Sequence, residues 1–151
     1  MKTIIQMLVF LFCVNTIHAQ QSTSVYIDSV MKEMSKTTND TTKARMYKGI
    51  ADKCLISLPQ KVLYYANAGL EQSKKMKWQK GIAVFNDIIG QYYSNKGEGD
   101  SAILYYEMAY QIDIKNQFNK NAASTLNNIG VVYQNQGKFE KAVEKFSQAL
   151  Q

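Results

Sequence analysis

The sequence predicts an all-α protein, an α-solenoid of stacked antiparallel helix pairs, and three observations carry that prediction. The stretch from Leu126 to Gln151 matches an upstream stretch when slid back by 40 residues: Ile129 falls on Ile89, Gly130 on Gly90, Tyr133 on Tyr93, Ala142 on Ala102, Phe146 on Tyr106 and Ala149 on Ala109. Self-similarity at a fixed period of this size marks a stack of supersecondary units, each too small to bury its own apolar face. Within a unit, Leu126, Ile129, Gly130 and Tyr133, and then Ala142, Phe146, Ala149 and Leu150, share one face at 3.6 residues per turn. Finally, Gly97 and Gly137 fall between the two halves of their units, where a left-handed residue ends a helix.

Taken in order, the chain opens on "MKTIIQMLVFLFCVNTIHAQ": a single Lys2, an apolar run from Ile4 to Val14 broken by Gln6, and an exit ending in Ala19. That is the layout of a signal peptide over residues 1–19, cut near Ala19, which implies an exported protein, periplasmic or extracellular. The run is shorter than the roughly 20 residues of a membrane span, although retention as an N-terminal anchor is the other reading. A lipid anchor on Cys13 is disfavoured by bulky Phe12 before it. Residues 20–42 read as an N-terminal capping helix and loop. Val25, Tyr26, Val30, Met31 and Met34 give the helix an apolar stripe, and "KTTNDTT" follows with Thr41 or Thr42 as the expected N-cap of the next helix.

Residues 43–151 hold three repeats, at about 43–76, 81–115 and 121–151. In the first, Val62, Tyr65 and Ala68 precede Ile103, Tyr106 and Ala109 by 41 residues, while Ile50 and Ala51 precede Ile89 and Gly90 by 39. Its internal turn is therefore two residues shorter, and Pro59 sits there, where a missing N–H at a helix start costs nothing. Asp100 is the expected N-cap of the middle unit's second helix. Ala51, Gly90 and Gly130, with Ala102 and Ala142 opposite, let paired helices approach, and the aromatics fill the space beside them. One Tyr of each pair (Tyr64-Tyr65, Tyr92-Tyr93, Tyr105-Tyr106) is expected in the core.

Composition excludes more than it assigns. With 46% hydrophobic and 20% charged residues the chain is ordinary for a globular protein. Loss of residues 1–19 would remove the only histidine, His18, and one of two cysteines, Cys13. The remainder holds no acid–base histidine, no Cys/His zinc set and no internal disulfide. Cys54 reads as a small buried apolar residue. Asp87, Glu98 and Asp100 belong to a helix surface and a turn rather than a metal site, and Gly97-Glu98-Gly99-Asp100 lacks the strand and helix of a phosphate loop. No enzyme activity, cofactor or metal is therefore expected. The net charge is +6, with one lysine cluster at Lys74, Lys75, Lys77 and Lys80. An exported chain rarely meets nucleic acid, so a solvated face is the better reading than nucleic-acid binding.

The last unit, Leu126-x2-Ile129-Gly130-x2-Tyr133-x3-Gly137-x-Phe139-x2-Ala142-x3-Phe146-x2-Ala149, closely resembles a tetratricopeptide repeat (TPR). In the middle unit Asn86 and Gly99 depart from the pattern, and the first unit is degenerate. The period exceeds the usual 34 or so, with the extra residues assigned to the second helix or the loop around "QIDIKNQFNKN". Long variants with "LNNIG"-like starts are similar to exported bacterial TPR signalling proteins, which carry a histidine kinase or transcription regulator further on.

The resemblance implies a TPR-like superhelix and a groove, lined by first helices, that holds a peptide or protein ligand. By helical phase its lining is Ser124, Asn127, Val131 and Gln134 in the last unit, and Val84, Asp87, Gln91 and Ser94 in the middle one. In the first it is Arg45, Lys48, Asp52 and Leu55. Asn128 fills a slot where TPR proteins hold a peptide backbone, but Ile88 at the matching position leaves one rung and no ladder. Lys48 suits a carboxylate clamp, which Asp52 one turn later would oppose. Two readings of function follow: an exported scaffold binding a peptide or protein, or the extracytoplasmic sensory segment of a longer signalling protein. Val143, Phe146, Ala149 and Leu150 lie on a last helix with no successor, which leads to an expectation of self-association or of further chain.

Overall fold

The structure, a computed structural model, describes residues 2–151, and of residues 2–5 and 8–13 it describes the backbone alone. Much of the apolar run behind the signal-peptide reading, with Cys13, therefore lies outside the described side chains. The elements are α1 (Lys2–Met34), α2 (Asp40–Ser57), α3 (Pro59–Lys75), α4 (Gln79–Asn95), α5 (Gly99–Lys115), α6 (Asn119–Asn135) and α7 (Phe139–Ala149). No strand occurs among the described residues. The fold is an all-α, TPR-like solenoid.

Its curvature follows from which helices touch. Helices pair as α2 with α3, α4 with α5 and α6 with α7, and each pair meets the next through α3 on α4 and α5 on α6. The first helices also meet one another, α2 with α4 and α4 with α6, whereas among the described residues α3 and α5, or α5 and α7, do not. Helices that converge on one side and diverge on the other make a concave face of α2, α4 and α6.

The four joints from α3 to α7 are built alike. Each of four helices ends in a left-handed residue: Lys77 (φ 54°), Gly97 (φ 75°), Gln117 (φ 60°) and Gly137 (φ 72°). In each joint the next N–H reaches back across the last turn, Trp78 to Ser73 O, Glu98 to Tyr93 O, Phe118 to Asp113 O and Lys138 to Tyr133 O, at 2.8–2.9 Å. This is the Schellman closure, which satisfies carbonyls that a helix end would otherwise orphan. Glycine serves within the second and third units, at Gly97 and Gly137. Between units Lys77 and Gln117 take the same backbone at a steric cost that glycine avoids. Helices α3 to α6 are 17 residues each, so the residues beyond the usual repeat length lie in the helices, with short turns between.

Packing follows the small-against-large pattern. A Cβ on Gly130 would fall 2.5 Å from the Phe146 ring and one on Gly90 2.7 Å from the Tyr106 ring. The two rings thus occupy the space that the glycines leave. Phe146 is half-buried on this account, while Phe139, Val143 and Leu150 of α7 remain exposed. One core cluster runs from α1 to α4 around Ile50, Val62, Phe85 and Ile89, and a second joins α5 to α6 around Tyr106 and Ile129. Cys54 is fully buried, and burial pushes its thiol pKa up. Tyr65 and Tyr106 are core residues beside more exposed Tyr64 and Tyr105, whereas Tyr92 and Tyr93 are both half-buried, Tyr93 stacking on Tyr105 at 5.5 Å.

Three local expectations are corrected. Asn39, not Thr41 or Thr42, caps α2: its side chain accepts the Thr42 N–H at 2.8 Å. The helix starts at Asp40, so both threonines lie inside its first turn. Asp100 likewise lies within α5 and accepts a hydrogen bond from Gln136 Nε2 at 3.1 Å, while Glu98 holds the cap position without a side-chain capping bond, its carboxylate paired with Lys96. Helix α1 extends back to Lys2, and the face it lays on the stack is Thr23, Ile27 and Met34 with Tyr26 and Val30 beside them. Val25 and Met31 point away, 64% and 37% exposed. Thr23 belongs to the face because its hydroxyl meets the Ser57 hydroxyl at 2.7 Å.

Candidate peptide groove

The concave face carries two cavities at equivalent places in successive units. One, of about 200 Å³, lies over α4 and α6 and is lined by Ala83, Val84, Asp87, Gln91, Asn121, Ser124 and Thr125, with Lys48 and Asp52 of α2 on one side and Asp113 of α5 at its base. The other, of about 240 Å³, lies one unit earlier and is lined by Ala44, Arg45, Lys48, Trp78, Lys80, Gly81, Val84 and Phe85.

Asp87 is the centre of the first cavity. Its Oδ1 accepts Asn128 Nδ2 at 3.2 Å and Thr125 Oγ1 at 3.4 Å, so α6 holds a carboxylate of α4 in place. Burial raises its pKa, and the two donors and Lys48 oppose that rise. Beside it, Asp113 is only 2% exposed. Asn121 lines the same cavity and favours the charged carboxyl, yet Oδ1 is buried without a hydrogen-bond partner. Desolvation, reinforced by Asp87 and opposed by Asn121 and Lys80, pushes its pKa up to about 6. The rim differs: Lys48 and Asp52 form an i,i+4 ion pair with both side chains nearly half exposed, an arrangement worth only a few tenths of a kcal/mol.

Of the residues assigned to the groove by helical phase, Lys48, Asp52, Asp87 and Gln91 come together on this cavity, with Val84 and Ser124. Asn128 borders it through its bond to Asp87, so its amide is engaged with the protein. Asn127, Val131 and Gln134 are exposed on α6 and do not line it. Ser94 lies further along α4 in a smaller cavity of about 120 Å³ with Gly97, Val132 and Gln136. Sequence phase missed Asp113, Asn121 and Thr125. A signal for Asp113 was present: Ala102, Tyr106, Ala109 and Asp113 continue one apolar stripe at spacings of 4, 3 and 4, which puts a carboxylate where a core residue belongs.

Stacked helix pairs with a polar concave face define a helical-repeat scaffold. Residues 82–151 match the model of the tetratricopeptide repeat family. Among solved structures, the crystal structure of BtubC (BKLC) from P. vanneervenii is similar, with a TM-score of 0.71 and 17% identity, over 89% of this chain and 56% of that one. At that identity the likeness is one of fold, and the chain spans little more than half the length of this neighbour. No curated protein sequence matches the chain significantly. The repeat family is typically a non-catalytic scaffold for protein interactions.

Proposed function

We propose that the chain is an exported scaffold that holds a peptide or protein partner on the concave face of α2, α4 and α6, with Asp52, Asp87 and Gln91 central to the contact. The observation that carries this reading is the arrangement of both cavities on the side where the first helices converge. The polar lining suits hydrogen bonding to an extended backbone better than capture of an apolar helix. Lys48 is already paired with Asp52, which argues against a carboxylate clamp. Export rests on the N-terminal layout of charge, apolar run and Ala19. Among the described residues no helix is long and apolar enough to cross a membrane.

A peptide-array screen with the purified chain tests the groove: hits are expected to weaken in Gln91→Ala, and hits unchanged in that variant contradict it. N-terminal sequencing of the secreted chain tests export, with a start at Gln20 expected and a start at Met1 against. The exposed Phe139, Val143 and Leu150 support a further contact, self-association through α7. Sedimentation should then show a concentration-dependent dimer that Val143→Ser weakens; a monomer throughout contradicts it.

A further inference from the structure

We infer that the cavity formed by Asp87, Asp113 and Asn121 is a receptor for a single cationic side chain, a lysine ammonium or an arginine guanidinium carried by the groove's peptide ligand; this rests on the peptide-groove reading and deepens it. Oδ1 of Asp113 is a strong acceptor that the fold buries and leaves unused at the base of the cavity. Such an orphan costs free energy in the empty protein, and a donor entering with a positive charge would relieve it. Asp87 offers a second carboxylate in the same cavity, held by Asn128 and Thr125 rather than by a cation. Asp87 is close enough to oppose ionisation of Asp113.

Size and neighbours narrow the ligand. A volume of about 200 Å³ is below the ~300–1,000 Å³ of small-molecule sites and fits one long side chain. A metal ion is a poorer match, since no group of three or more His, Cys, Asp or Glu among the described residues is placed to hold one. The whole chain carries +6 and repels cations at long range, so selection of a basic side chain must come from this cavity itself. The charged groups facing it are Asp113 of α5, Asp87 and Lys80 of α4, and Lys48 and Asp52 of α2. The lysines stand as the rival to an incoming cation: Lys48 is taken by Asp52, and Lys80 lies over the Phe118 ring at 5.9 Å. Binding therefore tightens as pH rises through the range in which Asp113 loses its proton.

The test follows the Asp113 carboxyl by carbon-13 NMR in the full chain. Acetyl-lysine amide, acetyl-arginine amide and the neutral acetyl-norleucine amide are added in excess, and array hits are compared with copies whose basic residues become norleucine. The expected result is that both cationic probes, and not the neutral one, lower the Asp113 pKa. Replacing one fixed basic position should abolish each hit, and Asp113→Asn should weaken hits about tenfold or more. An unmoved Asp113 pKa, or an equal response to the neutral probe, overturns the cation receptor. The groove reading then still stands if Gln91→Ala weakens the hits, and fails separately if it does not.

Discussion

The two cavities of the concave face sit on the same backbone and have opposite characters. Ala44, Arg45 and Lys48 of α2 occupy the places that Ala83, Val84 and Asp87 hold on α4. Gly81, Val84 and Phe85 of α4 occupy those of Asn121, Ser124 and Thr125 on α6. Both joints beneath them turn through a left-handed residue and close with the same backbone bond, Trp78 N–H to Ser73 O and Phe118 N–H to Asp113 O. At the earlier joint Ser73 is fully buried and satisfied, its hydroxyl donating to Gly69 O at 2.8 Å. At the later joint the matching residue is Asp113, with an unpartnered oxygen. One cavity is thus basic and aromatic, the other acidic and polar. A repeat fixes where a cavity forms, and three or four substitutions decide what it accepts.

Exchanging residues between the joints tests the comparison. The largest expected effect is Gly81→Asn, which installs the later joint's residue in the earlier one. A Cβ there would fall 2.2 Å from Trp78 Cε3 and 2.6 Å from Ser73 Oγ, and overpacking of this kind costs about 3 kcal/mol. Urea unfolding should show the loss, and an unchanged midpoint would mean that the earlier joint is not sealed by its indole.

Asp113→Asn comes next, in the opposite direction. The Asp113 pKa is about 6 in the fold against 3.8 for the free side chain, so the native protein binds the extra proton between these values and stability falls as pH rises from about 4 to about 6. Removing the charge should stabilise the chain by about 2 kcal/mol at pH 7 and by little at pH 4. Equal effects at both pH values would show that desolvation of the carboxylate is not the cause.

Asn128→Ala removes a donor to Asp87 and should cost about 1 kcal/mol at neutral pH. The loss should shrink in acid, where Asp87 is protonated and needs the donor less. Smallest is Lys48→Ala, which breaks an exposed ion pair and should cost under about 0.5 kcal/mol, with little left in high salt.

The stack was legible because its grammar is local. Gly90 and Gly130, with the aromatics 16 residues later, mark helix approach without any knowledge of the fold, and Gly97 and Gly137 mark the turns. The part of the cavity lined by Lys48, Asp52, Asp87 and Gln91 follows from helical phase on the first helices alone. Its base does not. Asp113 comes from a second helix, and only the stacking of α5 on α6 brings it under the groove. Asn128 looked like a ligand-facing amide because phase cannot tell that Asp87, 41 residues earlier, lies across from it. On α1, apolarity favoured Val25 and Met31, whereas the face is set by spacing and includes polar Thr23. The cap of α2 depended on a boundary shift of two residues, which moved the role to Asn39.

The most direct test is a crystal structure of the chain with the strongest array peptide. The peptide should lie extended along α2, α4 and α6, with one lysine or arginine reaching Asp113 Oδ1 between Asp87 and Asn121. A peptide seated on α3 and α5, or one that leaves Asp113 Oδ1 unmet, would contradict it.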